Sequence, residues 1–367
     1  MSAQLAACGK KETEEEKMMR YPNPLKENGT IGFVAPSFGC GIEPYRTKFV
    51  YAQKVFAARG HGLDLGPNCY EEKGIGISNT PEACGSELTE WYCRKENDVL
   101  ISCGGGELMC EILDFVDFDR IRAAAPKWYM GFSDNTNFTF LLPTLCDTAS
   151  IYGPCAAAFG MEPWDTSLED AYQMLRGKKD RVKGYPLWEK AEMSIRESEN
   201  PLAPYRLTEP KTLKTYIGQR PAEKTEEITF QGRLIGGCMD CLVNLAGTCY
   251  DKVVPFAERY RDDGLIWFLE SCDLTVMEMR RAIWEMKHAG WFSHIKGVLV
   301  GRPLHFGEEM MGLDQYRAVT DLLAEYQIPM VMDVDFGHLP PMMPLMCGAA
   351  GKVRVKGNDI EIQYLKK

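Results

Sequence analysis

Three residues, each placed at or just past the end of a short apolar run, have the types needed for nucleophilic hydrolysis: Ser133, Glu270 and His338. Within Lys127–Leu142, KWYMGFSDNTNFTFLL, one apolar run ends on Gly131-Phe132-Ser133-Asp134, and Asn135-Thr136-Asn137 opens a second. The pattern predicts a strand, a sharp turn and a helix, which would expose the serine hydroxyl at a sheet's carboxyl edge beside helix-start N–H groups. The plainer alternative is that Ser133 or Asp134 serves only as an N-cap. Gly264–Leu269 runs into Glu270 ahead of a helical pattern through Met286, and Met330–Phe336 closes on Gly337-His338 before Pro340, Pro341 and Pro344 forbid a regular helix. In open α/β sheets ligand chemistry gathers outside the carboxyl ends of strands, so these three side chains form a candidate Ser/Glu/His triad.

Each partner has an ordinary alternative. Glu270 equally suits the N-terminal end of the following helix, where a negative charge is favoured. Of the five histidines, His61, His288, His294, His305 and His338, the competitor is His305, which follows the strand pattern of Val298–Pro303. The immediate strand-end position favours His338. A fourth element is Asp98–Glu107, DVLISCGGGE, whose Gly104-Gly105-Gly106 lets backbone N–H groups approach a ligand closely. One such N–H, with that of Asp134 after the serine, would make an oxyanion hole. The loop matches neither the Walker lysine pattern nor GxGxxG, so nucleotide binding by those routes is not expected.

The ordered set of GGG loop, GFSD, strand-end glutamate and DFGH turn resembles the LD-carboxypeptidase family of serine peptidases, which includes the microcin C self-immunity peptidases. Gly29–Ser37, Ile151-Tyr152-Gly153-Pro154 and Gly232–Gly237 add to the likeness, which spans the chain from about Tyr21 onward. The resemblance implies a hydrolase of amide bonds near a free carboxyl terminus, with Ser133 as nucleophile, His338 as general base and acid, and Glu270 orienting the imidazole. It implies oxyanion donors at Gly105 and Asp134 and substrate contact at Gly106. It also implies no cofactor or metal, and a homodimer. The substrate is either a muropeptide or a peptidyl or aminoacyl nucleotide, and the GGGE and SDNTN variants look closer to the microcin branch. Trp188 is the aromatic residue available to stack on a base, against an ordinary packed role. Arg302 is the named candidate for a substrate carboxylate, against a salt bridge. Many relatives carry an asparagine where Cys238 stands here, which puts side-chain recognition at that point in doubt.

Composition frames these readings. A chain of 367 residues with 45% hydrophobic content can bury two cores. The net charge of −10 argues against a nucleic-acid partner, and no apolar stretch reaches the length of a membrane-spanning helix. The 14 cysteines, with Cys238-Met239-Asp240-Cys241 the sole CxxC, read as free thiols and point to the cytoplasm. A lipoprotein-like box at Leu5–Cys8 reads as accidental, because only seven residues precede the cysteine.

The expected fold is α/β. Residues 1–20 form a flexible lead, 21–177 a Rossmann- or flavodoxin-like parallel sheet domain bearing the serine, 178–227 a connecting arm, and 228–367 a mixed α/β domain carrying Glu270 and His338. The site then lies between the domains. Two rival functions remain: a small-acyl amidase or esterase using the same three residues, and a peptide-binding module without catalysis.

Overall fold

Buried apolar runs become the parallel strands of two sheets in the computed structural model, which describes residues 18–190 and 200–365. The Leu5–Cys8 box lies outside the described residues. The first sheet has the order Leu345–Cys347, Ser150–Tyr152, Trp128–Gly131, Val99–Ser102, Thr30–Val34, Gly62–Leu65. Its five strands from the N-terminal half are parallel, in the 2-1-3-4-5 order of flavodoxin-like sheets, with the order reversing between Thr30–Val34 and Val99–Ser102. Leu345–Cys347, from near the end of the chain, closes one edge antiparallel.

The second sheet runs Arg220–Pro221, Lys214–Ile217, Pro329–Val334, Ile295–Gly301, Leu265–Glu270, Glu227–Cys238, Ala350–Lys356, Asp359–Tyr364, Arg181–Lys183. The four strands from Pro329–Val334 to Glu227–Cys238 are parallel, and the flanks are antiparallel. Leu265–Glu270 is buried at every position, as a parallel strand covered on both faces must be. Ala350–Lys356 alternates buried and exposed residues along most of its length, and the hairpin turns at Gly357-Asn358 with Gly357 at φ 57°. The stretch 178–227, expected as a connecting arm, supplies the two edge strands, Arg181–Lys183 and Arg220–Pro221, and Lys214–Ile217 just inside the second. Their polar residues face solvent, so no apolar run announces them.

Helix Val276–His288 follows Glu270 and begins at a capping box between Thr275 and Glu278. It buries Val276, Met279, Ile283 and Met286 on one stripe. The two sheets share one hydrophobic core. At their junction the Cys238 N–H donates to Thr136 Oγ1 at 3.0 Å. Nearby, Phe140 stacks on Trp291 with ring centroids 5.6 Å apart, and Trp291 stacks on Trp267 at 5.7 Å. The turn after Trp128–Gly131 is thereby held against the second sheet. Among the described residues no helix is long and apolar enough to cross a membrane.

Candidate active site

Strand Trp128–Gly131 ends in an extended Phe132, and Ser133 then adopts φ 60°, a left-handed conformation that a serine rarely takes. A single 3₁₀ turn over Ser133–Asn135 and helix Thr136–Thr139 follow. Strain of this kind is kept where surrounding contacts over-determine the backbone, and here several do. The buried Asp134 carboxylate accepts the Ser37 hydroxyl at 2.6 Å, the Met109 N–H at 2.9 Å and the Asn137 amide at 3.1 Å. Burial pushes its pKa up to about 6, against those donors. Asn135 donates to Gly104 O at 2.8 Å, tying the turn to the glycine loop.

Three side chains from distant parts of the chain meet above this turn. The Ser133 hydroxyl lies 2.9 Å from His338 Nε2, and His338 Nδ1 lies 2.8 Å from Glu270 Oε2. Glu270 is the last residue of its strand and fully buried, and its other oxygen accepts the Tyr152 hydroxyl at 2.5 Å. Tyr152 in turn accepts the Ser133 N–H at 3.2 Å. Burial draws the Glu270 carboxyl upward, but the facing imidazole, Tyr152 and Cys238 outweigh it and leave the pKa below the ordinary value. Burial likewise opposes a charged His338, yet the Glu270 charge and the Cys272 thiol raise its pKa well above 6.5. His338 reaches this position through Gly337, at φ 104°, where a β-carbon would sit 2.9 Å from Glu270 Oε2.

The glycine loop stands opposite. A β-carbon on Gly105 would lie 3.3 Å from Ser133 Cβ and 3.5 Å from its hydroxyl, so a bare backbone borders the nucleophile candidate. Gly105 and Gly106 both line a groove of about 590 Å³ that opens over Ser133 and His338. Its lining includes the apolar and aromatic side chains of Phe38, Ile42, Tyr45 and Tyr205 and the charged Glu71, Glu72, Glu107 and Lys48.

Two expected contacts are corrected. Arg302 does not face the groove: it is 1% exposed, its Nη2 lies 2.7 Å from Asp335 Oδ1, and its Nη1 donates to Asp333 O at 2.9 Å. Trp188 is packed edge-on against Phe306 at 4.9 Å, with Arg302 over its face and its Nε1–H donated to Pro210 O. The aromatic residue from that region that borders the groove is Tyr205. Sequence reasoning missed the Asp134 side chain, Tyr152 and Cys272; Tyr152 stood inside a recognised stretch, but nothing local marked its partner 118 residues away. Cys238 and Cys241 are free thiols beneath the site, with Cys241 Sγ donating to Ser133 O at 3.6 Å. Burial holds the Cys238 thiol well above its usual range, so it is no ready nucleophile.

Comparison with known proteins gives matching family models for both halves. Residues 31–153 match the LD-carboxypeptidase N-terminal domain and residues 231–353 the LD-carboxypeptidase C-terminal domain. Microcin C7 self-immunity protein MccF of Escherichia coli is 25% identical over 349 residues, covering 93% of this chain and 96% of that protein. The structure of MccF in complex with aspartyl sulfamoyl adenosine superposes with a TM-score of 0.75 at 22% identity, over 93% of this chain and 98% of that one. The MccF-like protein from Bacillus anthracis str. Ames gives a TM-score of 0.76 at 20% identity, over 94% and 100% of the two chains. At these identities the structural matches speak for a shared fold.

Proposed function

Because the chain belongs to the LD-carboxypeptidase family of serine peptidases, we propose that it hydrolyses an amide bond near a free carboxyl terminus through Ser133, His338 and Glu270. The observation that carries this reading is the single file of serine hydroxyl, imidazole and carboxylate, 2.9 and 2.8 Å apart, with Ser133 and His338 lining a groove and Glu270 buried behind them. As the Ser133 oxygen attacks the carbonyl carbon, its proton passes to His338 Nε2, and Glu270 stabilises the imidazolium through Nδ1. The oxyanion that forms takes donors from the backbone at Asp134 and Gly105. The imidazolium then protonates the leaving amine, and water releases the acyl group by the same steps in reverse. Tyr152 occupies the N–H of Ser133 itself, which favours the next residue as donor. The two sheets are read as the two domains, with the site between them, in a homodimer of the cytoplasm; every described cysteine is free, which suits that compartment.

For substrate we favour a peptidyl or aminoacyl nucleotide. The MccF relative is bound to aspartyl sulfamoyl adenosine in its solved complex, and the groove here is lined by aromatic rings, Phe38, Tyr45 and Tyr205 among them, that suit a flat base. A muropeptide is the second reading, supported by Glu71, Glu72 and Glu107 at the groove, which suit the free ammonium of a diaminopimelate. Incubating the protein with aspartyl sulfamoyl adenosine and with muropeptide tetrapeptides, read by mass spectrometry, tests both. Release of aspartate from the first alone is expected; loss of a terminal D-amino acid from the second alone reverses the substrate assignment, and no cleavage of either rejects both.

A further inference from the structure

We propose that Tyr152 is a positioning residue whose hydroxyl joins the two ends of the Ser133–His338–Glu270 line and sets how strongly Glu270 holds the imidazole. This rests on the reading of those three residues as a catalytic triad. Tyr152 ends the strand Ser150–Tyr152, paired with Gly131 on one side and Leu345 on the other. It therefore sits where the strand leading to Ser133 and the chain just beyond His338 come together. The side chain is fully buried, with Phe268 at 5.5 Å and Phe132 edge-on at 6.4 Å holding the ring.

A phenol has one proton to give and lone pairs to receive. Tyr152 gives its proton to Glu270 Oε1 at 2.5 Å and receives the Ser133 N–H at 3.2 Å. The first bond divides the carboxylate, leaving Oε2 for His338 Nδ1 at 2.8 Å. The second pins the backbone of a serine held at φ 60°. Burial first, and then the Glu270 charge, raises the phenol pKa well above its ordinary value, so the hydroxyl stays a donor throughout the working range. A donor to the carboxylate draws off negative charge and so tempers the basicity of the histidine beyond it. None of this needs contact with substrate.

Tyr152→Phe keeps the ring and removes only the oxygen. The expected result is a fall in kcat of about 10- to 100-fold, short of the ~10⁴ that loss of the orienting carboxylate's function brings, with KM changed less than about twofold. The carboxylate then holds its partner's proton more tightly, so the acid limb of the pH profile of kcat/KM moves to higher pH, by about half a unit or more. Replacing Tyr152 with 3-fluorotyrosine, a stronger donor of the same shape, moves the limb the other way. A kcat and limb equal to the parent's in Tyr152→Phe overturn the proposal, and so does a loss of activity with the limb unmoved, which is what a merely structural role gives. Should Tyr152→Phe not fold, the fluorotyrosine protein decides alone: a downward shift supports the proposal, an unmoved limb overturns it. Ser133→Ala measured alongside keeps the two readings apart, since undiminished turnover there rejects the triad whatever Tyr152 does.

Discussion

Arg302 and Asp335 form an ion pair of 2.7 Å with neither side chain more than 1% exposed, three residues before His338. Asp335 also accepts the Tyr185 N–H at 2.8 Å, and its backbone oxygen takes the Met343 N–H. The pair thus anchors the turn that presents the imidazole. Removing Arg302 leaves the buried Asp335 carboxylate with only Lys211, 3.8 Å away, as a counter-charge, so Arg302→Ala should destabilise the protein in urea unfolding by somewhat less than the about 3–5 kcal/mol of a fully stranded buried charge. A variant as stable as the parent but with a raised KM would instead return Arg302 to substrate binding.

His338 and Glu270 predict the pH dependence. The imidazole pKa is raised well above 6.5 by Glu270, over the opposing effect of burial, and a general base must be neutral to act. The acid limb of kcat/KM should therefore lie above pH 6.5. Glu270→Gln removes the raising charge and leaves the burial, so the limb should shift downward, with kcat reduced less than in Ser133→Ala. For stability the signs differ. The raised histidine contributes fully below pH 6.5 and loses its contribution as pH climbs through its folded value. The lowered Glu270 contributes above its ordinary 4.5 and loses its contribution as pH falls through its folded value. The urea midpoint should accordingly decline on both sides.

Gly105→Ala tests the oxyanion assignment. Alanine keeps the backbone N–H, but its methyl would stand 3.3 Å from Ser133 Cβ and 3.5 Å from the hydroxyl, crowding the approach of an oxyanion to that N–H. No positive φ opposes alanine at this position. The expected outcome is near-parental thermal stability with kcat down by about 10²–10³-fold, the scale of a lost oxyanion donor. Parental kcat would remove Gly105 from the oxyanion site.

Asp134→Ala tests what holds the serine turn. Its carboxylate receives Ser37, Met109 and Asn137 in a buried setting, and a donor left without a partner there costs about 1–3 kcal/mol. A fall in stability of at least that size is expected from urea unfolding, with turnover falling as Ser133 loosens. Unchanged stability would show the turn to be held by other contacts.

How much of this was legible in the sequence follows from what each residue's neighbours are. Strands covered on both faces must be apolar along their length, so Leu265–Glu270 and Pro329–Val334 announced themselves, and with them the positions of Glu270 and His338. The turn at Ser133 was marked by the break in polarity on its C-terminal side. Strands at and next to the sheet's edges, such as Arg181–Lys183 and Lys214–Ile217, are short and carry polar residues, and so 178–227 looked like a connection. Arg302 could be recognised as a useful cation, but its partner lies 33 residues on and across the sheet, a pairing that only the folded register supplies. Trp188 and Tyr205 differ in the same way: sequence shows two aromatic rings, and the path of the chain decides which borders the groove.

An activated Ser133 hydroxyl reacts with a fluorophosphonate, and covalent labelling reads that reactivity directly. Intact mass after treatment with a fluorophosphonate should show one adduct per chain, mapped by peptide analysis to Ser133 and lost in His338→Ala. An unmodified Ser133, or labelling that persists undiminished without His338, would contradict the account.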